Sequence, residues 1–144
     1  MQLIRSFEQE NAAPVGWGIR VMLATSEGPD GLVARRVAGL GGQVECVAEL
    51  FTALAAIADD PFGYGLFVID ADAFGGLAEV RRAVALLSAS APRVPVILVG
   101  RDCPNQIFPA ERGQPIVLRA PLSAVSLRVG FEHALRDRLA VRMI

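Results

Sequence analysis

Four short clusters hold the side chains of this chain that could do chemistry. Thr25, Ser26 and Glu27 supply two hydroxyls and a carboxylate. Asp70 and Asp72 supply two more carboxylates, Gly100-Arg101-Asp102 a cation and an anion, and Ala120-Pro121 no reactive group. Carboxylates can hold a hard divalent cation through oxygen. One of them can also attack a phosphoryl group, if the negative charge gathering there is offset. Other nucleophilic chemistry finds little to use. All fourteen basic residues are arginine, which excludes Schiff-base chemistry and the lysine of a phosphate-binding P-loop. A Ser/His/Asp triad would have to use the single histidine, His133, which falls in the last helical segment, away from the clusters. Cys46 and Cys103 have no partner at metal-ligand spacing and read as small buried or half-buried thiols. The sequence therefore calls for no catalytic base–nucleophile pair, no resident metal and no cofactor.

The elements that position these clusters follow from the hydrophobic pattern. Ile19–Ala24, Gln43–Val47, Gly65–Asp70, Arg93–Gly100 and Pro115–Arg119 read as strands, most of them apolar throughout. Helical spacing appears in Gly31–Leu40, Glu49–Asp59 and Gly76–Ser88, the last through Leu77, Val80, Val84 and Leu87 with Arg81 and Arg82 on its wet side. Gly39-Leu-Gly-Gly42 follows a helix and lacks the spacing of a dinucleotide loop, so it reads as helix termination. Residues 101–114 show no helix. Pro121 opens a long final helix expected to reach about Arg142, since proline is tolerated in a first turn. Residues 1–17 form an N-terminal extension and linker, with Leu3, Ile4 and Phe7 on one side of a short helix; the domain proper is 18–144.

Fully apolar strands alternating with helices argue for a parallel sheet covered on both faces. The expected architecture is α/β: a flavodoxin-like, doubly wound (βα)5 sheet of five parallel strands, with the fourth helix short or absent. In such a sheet all four clusters fall at the carboxyl ends of strands, where ligand chemistry sits.

Composition bounds the function. With 53 % hydrophobic and 20 % charged residues the chain is too apolar to be disordered. A net charge of -1 argues against a nucleic-acid partner. The most apolar stretch, Val37–Ala58, is broken by Gln43, Glu45 and Glu49, so no membrane span is expected. No signal-peptide pattern opens the chain, and the cytoplasm is the expected location.

From Ile19 to Arg138 the chain resembles a response-regulator receiver domain. The resemblance is carried by Ile19-Arg-Val-Met-Leu-Ala24, Leu66-Phe-Val-Ile-Asp70, Val94-Pro-Val-Ile-Leu-Val99 and Leu118-Arg-Ala-Pro121-Leu122 in that order. It implies an acidic pair after the first strand that holds Mg²⁺, a phospho-accepting aspartate ending the third, a Thr or Ser ending the fourth, and a Lys before a proline after the fifth. Asp70 matches the acceptor. The acidic pair falls on Thr25 and Ser26, with Glu27 one step late; the hydroxyl position falls on Gly100 and the lysine position on Ala120. The loop Ala71–Gly76 is about two residues shorter than the family's. Arg101 or Arg119 could offset charge, and Asp72 or Glu27 could join Asp70 in a weak metal site.

The resemblance thus points to a pseudo-receiver, a bacterial signalling module that binds another protein without Mg-dependent aspartyl phosphorylation. The expected partner is a kinase, phosphotransferase or regulator, or a second copy of the chain. Phospho-acceptance at Asp70, or a small ligand in the pocket emptied at Gly100 and Ala120, are the alternatives. The last helix offers the interface: Leu127, Phe131, Leu135, Leu139 and Met143 recur every four residues, with Val125 and Val129 beside them. His133–Leu139 is similar to the histidine box of sensor kinases but lacks its proline, and reads as an exposed histidine on an amphipathic helix.

Overall fold

A computed structural model describes residues 16–90, 94–111 and 113–136. Five strands, β1 (Arg20–Ala24), β2 (Gln43–Val47), β3 (Leu66–Asp70), β4 (Val96–Gly100) and β5 (Ile116–Arg119), form one parallel sheet in the order β2-β1-β3-β4-β5. The three central strands are almost wholly buried, as their unbroken apolar runs require. Edge strand β2 alternates between half-buried and exposed residues.

Helices α1 (Leu32–Gly39) and α4 (Ala124–Ala134) cover one face; α2 (Leu50–Asp59) and α3 (Leu77–Ser90) cover the other. The helical spacing read from the sequence selects the buried residues correctly in α3, where Leu77, Val80, Val84 and Leu87 lie in the core. Arg81 and Arg82 are exposed. Helix α1 ends where the glycine-rich run begins, with Gly41 at a φ of 91° that only glycine adopts without strain.

One expectation is corrected at the carboxyl end. Pro121 does not open the final helix. The Ala120–Pro121 bond is cis, and α4 begins three residues later, with the Ser123 hydroxyl accepting from the Ser126 amide at 3.0 Å. An N-cap hydroxyl satisfies a free amide of the first turn, which proline at 121 cannot do from outside it. The helix is described as far as Ala134, and the extension toward Arg142, with Leu139 and Met143, lies outside the described residues.

The short N-terminal helix expected around Leu3, Ile4 and Phe7 also lies outside the described residues. Within them, the Gly16 amide donates to Leu40 O at 2.7 Å and its Cα faces Phe131. No helix forms among the described residues between β4 and β5. Instead Ile107 makes an antiparallel bridge to Val117 on β5. No described helix is long and apolar enough to cross a membrane.

Candidate functional site at the strand ends

The parallel sheet brings the four clusters to one edge, as expected, and each enters by leaving a strand. Thr25 follows β1 and is buried at 3 % exposure, because its amide continues the ladder to Val47 O at 3.0 Å. That places its hydroxyl against Asp70, the last residue of β3, with Oγ1 donating to Asp70 Oδ2 at 3.2 Å. Thr25 Oγ1 also accepts from the Glu27 amide at 3.2 Å. Asp70 is therefore held by a side-chain hydroxyl. It precedes a 3-10 turn (Ala71–Phe74) but makes no side-chain capping bond to it.

Burial pushes the half-buried Asp70 carboxyl above its ordinary range, and the negative charges of Glu27 and Asp72 push it the same way. The Thr25 hydrogen bond and the Arg101 guanidinium oppose this without cancelling it.

The neighbouring carboxylates are committed to backbone amides. Glu27 Oε2 accepts from Leu32 N–H at 3.3 Å, at the start of α1. Both oxygens of Asp72 accept from the Arg101 amide, at 3.1 and 3.2 Å, and the Arg101 guanidinium reaches Asp72 at 3.9 Å. Asp102 Oδ2 accepts from Leu77 N–H at 3.2 Å and so serves the start of α3. Ser26 is exposed beside them. Among the described residues no three His, Cys, Asp or Glu side chains gather as a metal-holding group. The Mg²⁺ implied by the resemblance does not fit: hydroxyls stand at the acidic-pair positions, and the remaining carboxylates have other donors to serve.

The cation is missing as well. Ala120, half-buried, carries none. Arg119 turns away: its Nε donates to Cys103 O at 3.0 Å and its NH2 to Pro104 O, both in the loop after β4. Nor is Gly100 a vacancy. A Cβ there would stand 2.9 Å from Asp102 Oδ1 and 2.9 Å from Leu77 Cγ, so these two groups already use the room of the missing hydroxyl residue. Leu77 and Asp102 were not expected in this role. Asp102 carries no capping signal in the sequence, because the helix it serves begins 25 residues upstream.

The interface residues divide. Leu127 and Phe131 are fully buried and Leu135 is 3 % exposed, all in the core under α4. They pack against the sheet and cannot present a surface. Val125, at 74 % exposure, and Val129, at 44 %, are the ones that face solvent. Leu139 lies outside the described residues. His133 is half-buried rather than exposed. Its Nε2 lies 2.5 Å from Pro109 O and its ring meets Phe108 edge-on at 6.0 Å.

A parallel sheet in the order 2-1-3-4-5, with an aspartate closing the central strand, defines the receiver fold, and the comparison with solved structures bears this out. A response-regulator receiver domain from Clostridium thermocellum aligns with a TM-score of 0.66 at 16 % identity, over 85 % of this chain and 98 % of that one. The receiver domain of a sensor histidine kinase from Pseudomonas aeruginosa, which has a magnesium ion in its active-site cleft, aligns at 0.61 and 15 %, over 82 % and 98 %. A protein from Burkholderia pseudomallei classed as pilus assembly-related aligns at 0.60 and 22 %, over 81 % and 88 %. No family model and no curated protein matches the sequence.

Proposed function

We propose that this chain is a pseudo-receiver: a bacterial signalling module with the receiver fold that acts by binding another protein, without Mg-dependent phosphorylation of Asp70. One observation carries the reading. The single carboxylate at the acceptor position is half-buried, faces the negative charges of Glu27 and Asp72, and has Ala120 where charge balance needs a cation. A phosphoryl group arriving there would add negative charge to a site that already disfavours one. Arg119 is engaged with the loop after β4, and Arg101, engaged with Asp72, offsets the charge at Asp70 only in part.

The likeness to receiver domains and to the pilus assembly-related protein supports a partner from a signalling or assembly pathway, such as a kinase, phosphotransferase or regulator. The exposed valines of α4 are the surface we assign to it, and a second copy of the chain is the other occupant. A non-enzymatic, cytoplasmic role agrees with a strand-end edge that offers carboxylates and hydroxyls but no base–nucleophile pair.

The experiment is exposure of the purified chain to acetyl phosphate, and separately to beryllofluoride, each with Mg²⁺. Intact mass and the amide spectrum around Asp70 are expected to stay unchanged. A mass gain of one phosphoryl group that Asp70→Asn abolishes would establish the phospho-acceptor alternative instead.

A further inference from the structure

Between β4 and β5 the chain forms a strap along the outer edge of the sheet, where the fourth helix was expected to be short or absent. Strand β5 is an edge strand, and its residues direct backbone groups alternately to β4 and outward. The Ala120 amide donates to Gly100 O at 3.0 Å, on the β4 side. By alternation Leu118 also faces β4, and the amides of Val117 and Arg119 face outward.

Residues 103–110 take both outward amides. Val117 N–H donates to Ile107 O at 3.0 Å, Ile107 N–H donates to Val117 O at 2.9 Å, and Arg119 N–H donates to Gln106 Oε1 at 3.1 Å. The strap is held in turn by three basic side chains acting on its carbonyls. Arg119 binds those of Cys103 and Pro104, His133 Nε2 meets that of Pro109, and Arg136 NH2 donates to that of Ala110 at 3.0 Å. Apolar burial contributes less to its hold, since Ile107 stays 42 % and Phe108 36 % exposed.

We propose that residues 103–110 are a latch over the β5 edge, and that the unlatched edge pairs with the same edge of a second copy of this chain. An uncovered edge is a row of unpaired donors and acceptors that templates another strand, and proteins commonly cover such edges. Pairing one edge with itself about a two-fold axis is self-complementary and closes at the dimer. Antiparallel pairing centred on Val117 sets Arg119 N–H opposite the carbonyl of Pro115, the residue without an amide to satisfy, and brings no like charges face to face. This goes beyond the pseudo-receiver reading and stands whether or not Asp70 accepts phosphate.

The test uses the full chain and light scattering over a range of concentration. The triple variant Arg119→Ala, His133→Ala, Arg136→Ala removes the clamps and leaves the edge amides in place. It is expected to gain a dimer relative to the parent. A companion triple with Arg119→Pro in place of Arg119→Ala removes the clamps and one outward N–H of the proposed pairing, and is expected to associate more weakly than the first. Unchanged mass in the first variant, or equal association in both, overturns the proposal. Should the variants fail to fold, amide hydrogen exchange of the parent decides. Val117 and Arg119 are expected to exchange roughly tenfold or more faster than Leu118, through local opening of the latch. Equal rates, which mean that the strap opens only with the whole sheet, overturn it.

Discussion

Leu77 occupies the room that a side chain on residue 100 would need. A Cβ added to Gly100 would sit 2.9 Å from Leu77 Cγ, closer than real contacts come, and 3.1 Å from Leu77 Cδ2, a tight contact. The glycine and the leucine are thus matched across β4 and the start of α3. Restoring a hydroxyl by Gly100→Ser forces Leu77 or the Asp102 carboxylate to move. Overpacking of this kind costs about 1–3 kcal/mol. Chemical denaturation is expected to show that loss. In the Leu77→Ala background the same serine is expected to cost clearly less, which a double-mutant cycle reads as coupling between the two positions.

Asp70 sets a pH dependence whose sign follows from its raised pKa. Its carboxyl titrates above the ordinary value of 3.8 in the folded chain, because burial and the charges of Glu27 and Asp72 penalise ionisation. The folded state then binds the proton more tightly than the unfolded state does. The stabilisation this gives is complete below the unfolded value and is lost as pH rises through the folded one. At neutral pH the ionised group is a net burden. Asp70→Asn keeps an oxygen to accept from Thr25 and removes the charge. Its stability is expected to equal or exceed that of the parent at neutral pH, with the advantage shrinking as pH falls toward 4. An advantage that grows on acidification would contradict the raised pKa.

Asp102 is at the strand-end edge for the sake of a helix. Its Oδ2 receives the Leu77 amide, a first-turn donor of α3 that has no partner within the helix. Asp102→Ala leaves that donor without its acceptor, and loss of such a cap typically costs about 0.5–2 kcal/mol. Asp102→Asn, which keeps an acceptor oxygen, is expected to recover most of it. Thermal unfolding of the two variants checks the order. Equal losses would assign Asp102 a role through its charge instead.

The sheet was legible because its three central strands are almost wholly apolar and are followed by turn residues. The bounds of β2, Gln43–Val47, coincide with the pattern, and α3 buries the four residues its spacing selects. Asp70 was legible as the closing residue of β3. Its environment was legible only in part: Asp72 stands two residues on, but Thr25 meets it only once β1 and β3 are side by side. Gly100 reads as an empty position because sequence shows a missing side chain but not the neighbour that fills its place. The strap was legible only as an absence of helix. Its contacts run from side chains to backbone carbonyls, and carbonyls carry no residue identity. His133 looked exposed for that reason: its partner is the Pro109 carbonyl, 24 residues away.

The last helix carries two apolar stripes, and periodicity alone does not say which one faces the sheet. Leu127 and Phe131 face it and are fully buried, whereas Val125 and Val129 face outward with Arg128 and Glu132 between and beside them. The two stripes are therefore expected to fail differently. Leu127→Ala opens a cavity in the core, where truncation of a buried leucine costs about 2–5 kcal/mol, so any loss of partner binding would accompany a loss of folded protein. Val125→Asp with Val129→Asp changes exposed positions, where substitutions usually stay within about 0.5 kcal/mol. That double variant is expected to unfold at the parent's temperature and yet to lose the complex with the partner. Calorimetric unfolding paired with a binding titration separates the two cases. Full binding by the double aspartate variant would remove the outward face of α4 from the interface and leave the exposed strap residues Ile107 and Phe108 as the next surface to change.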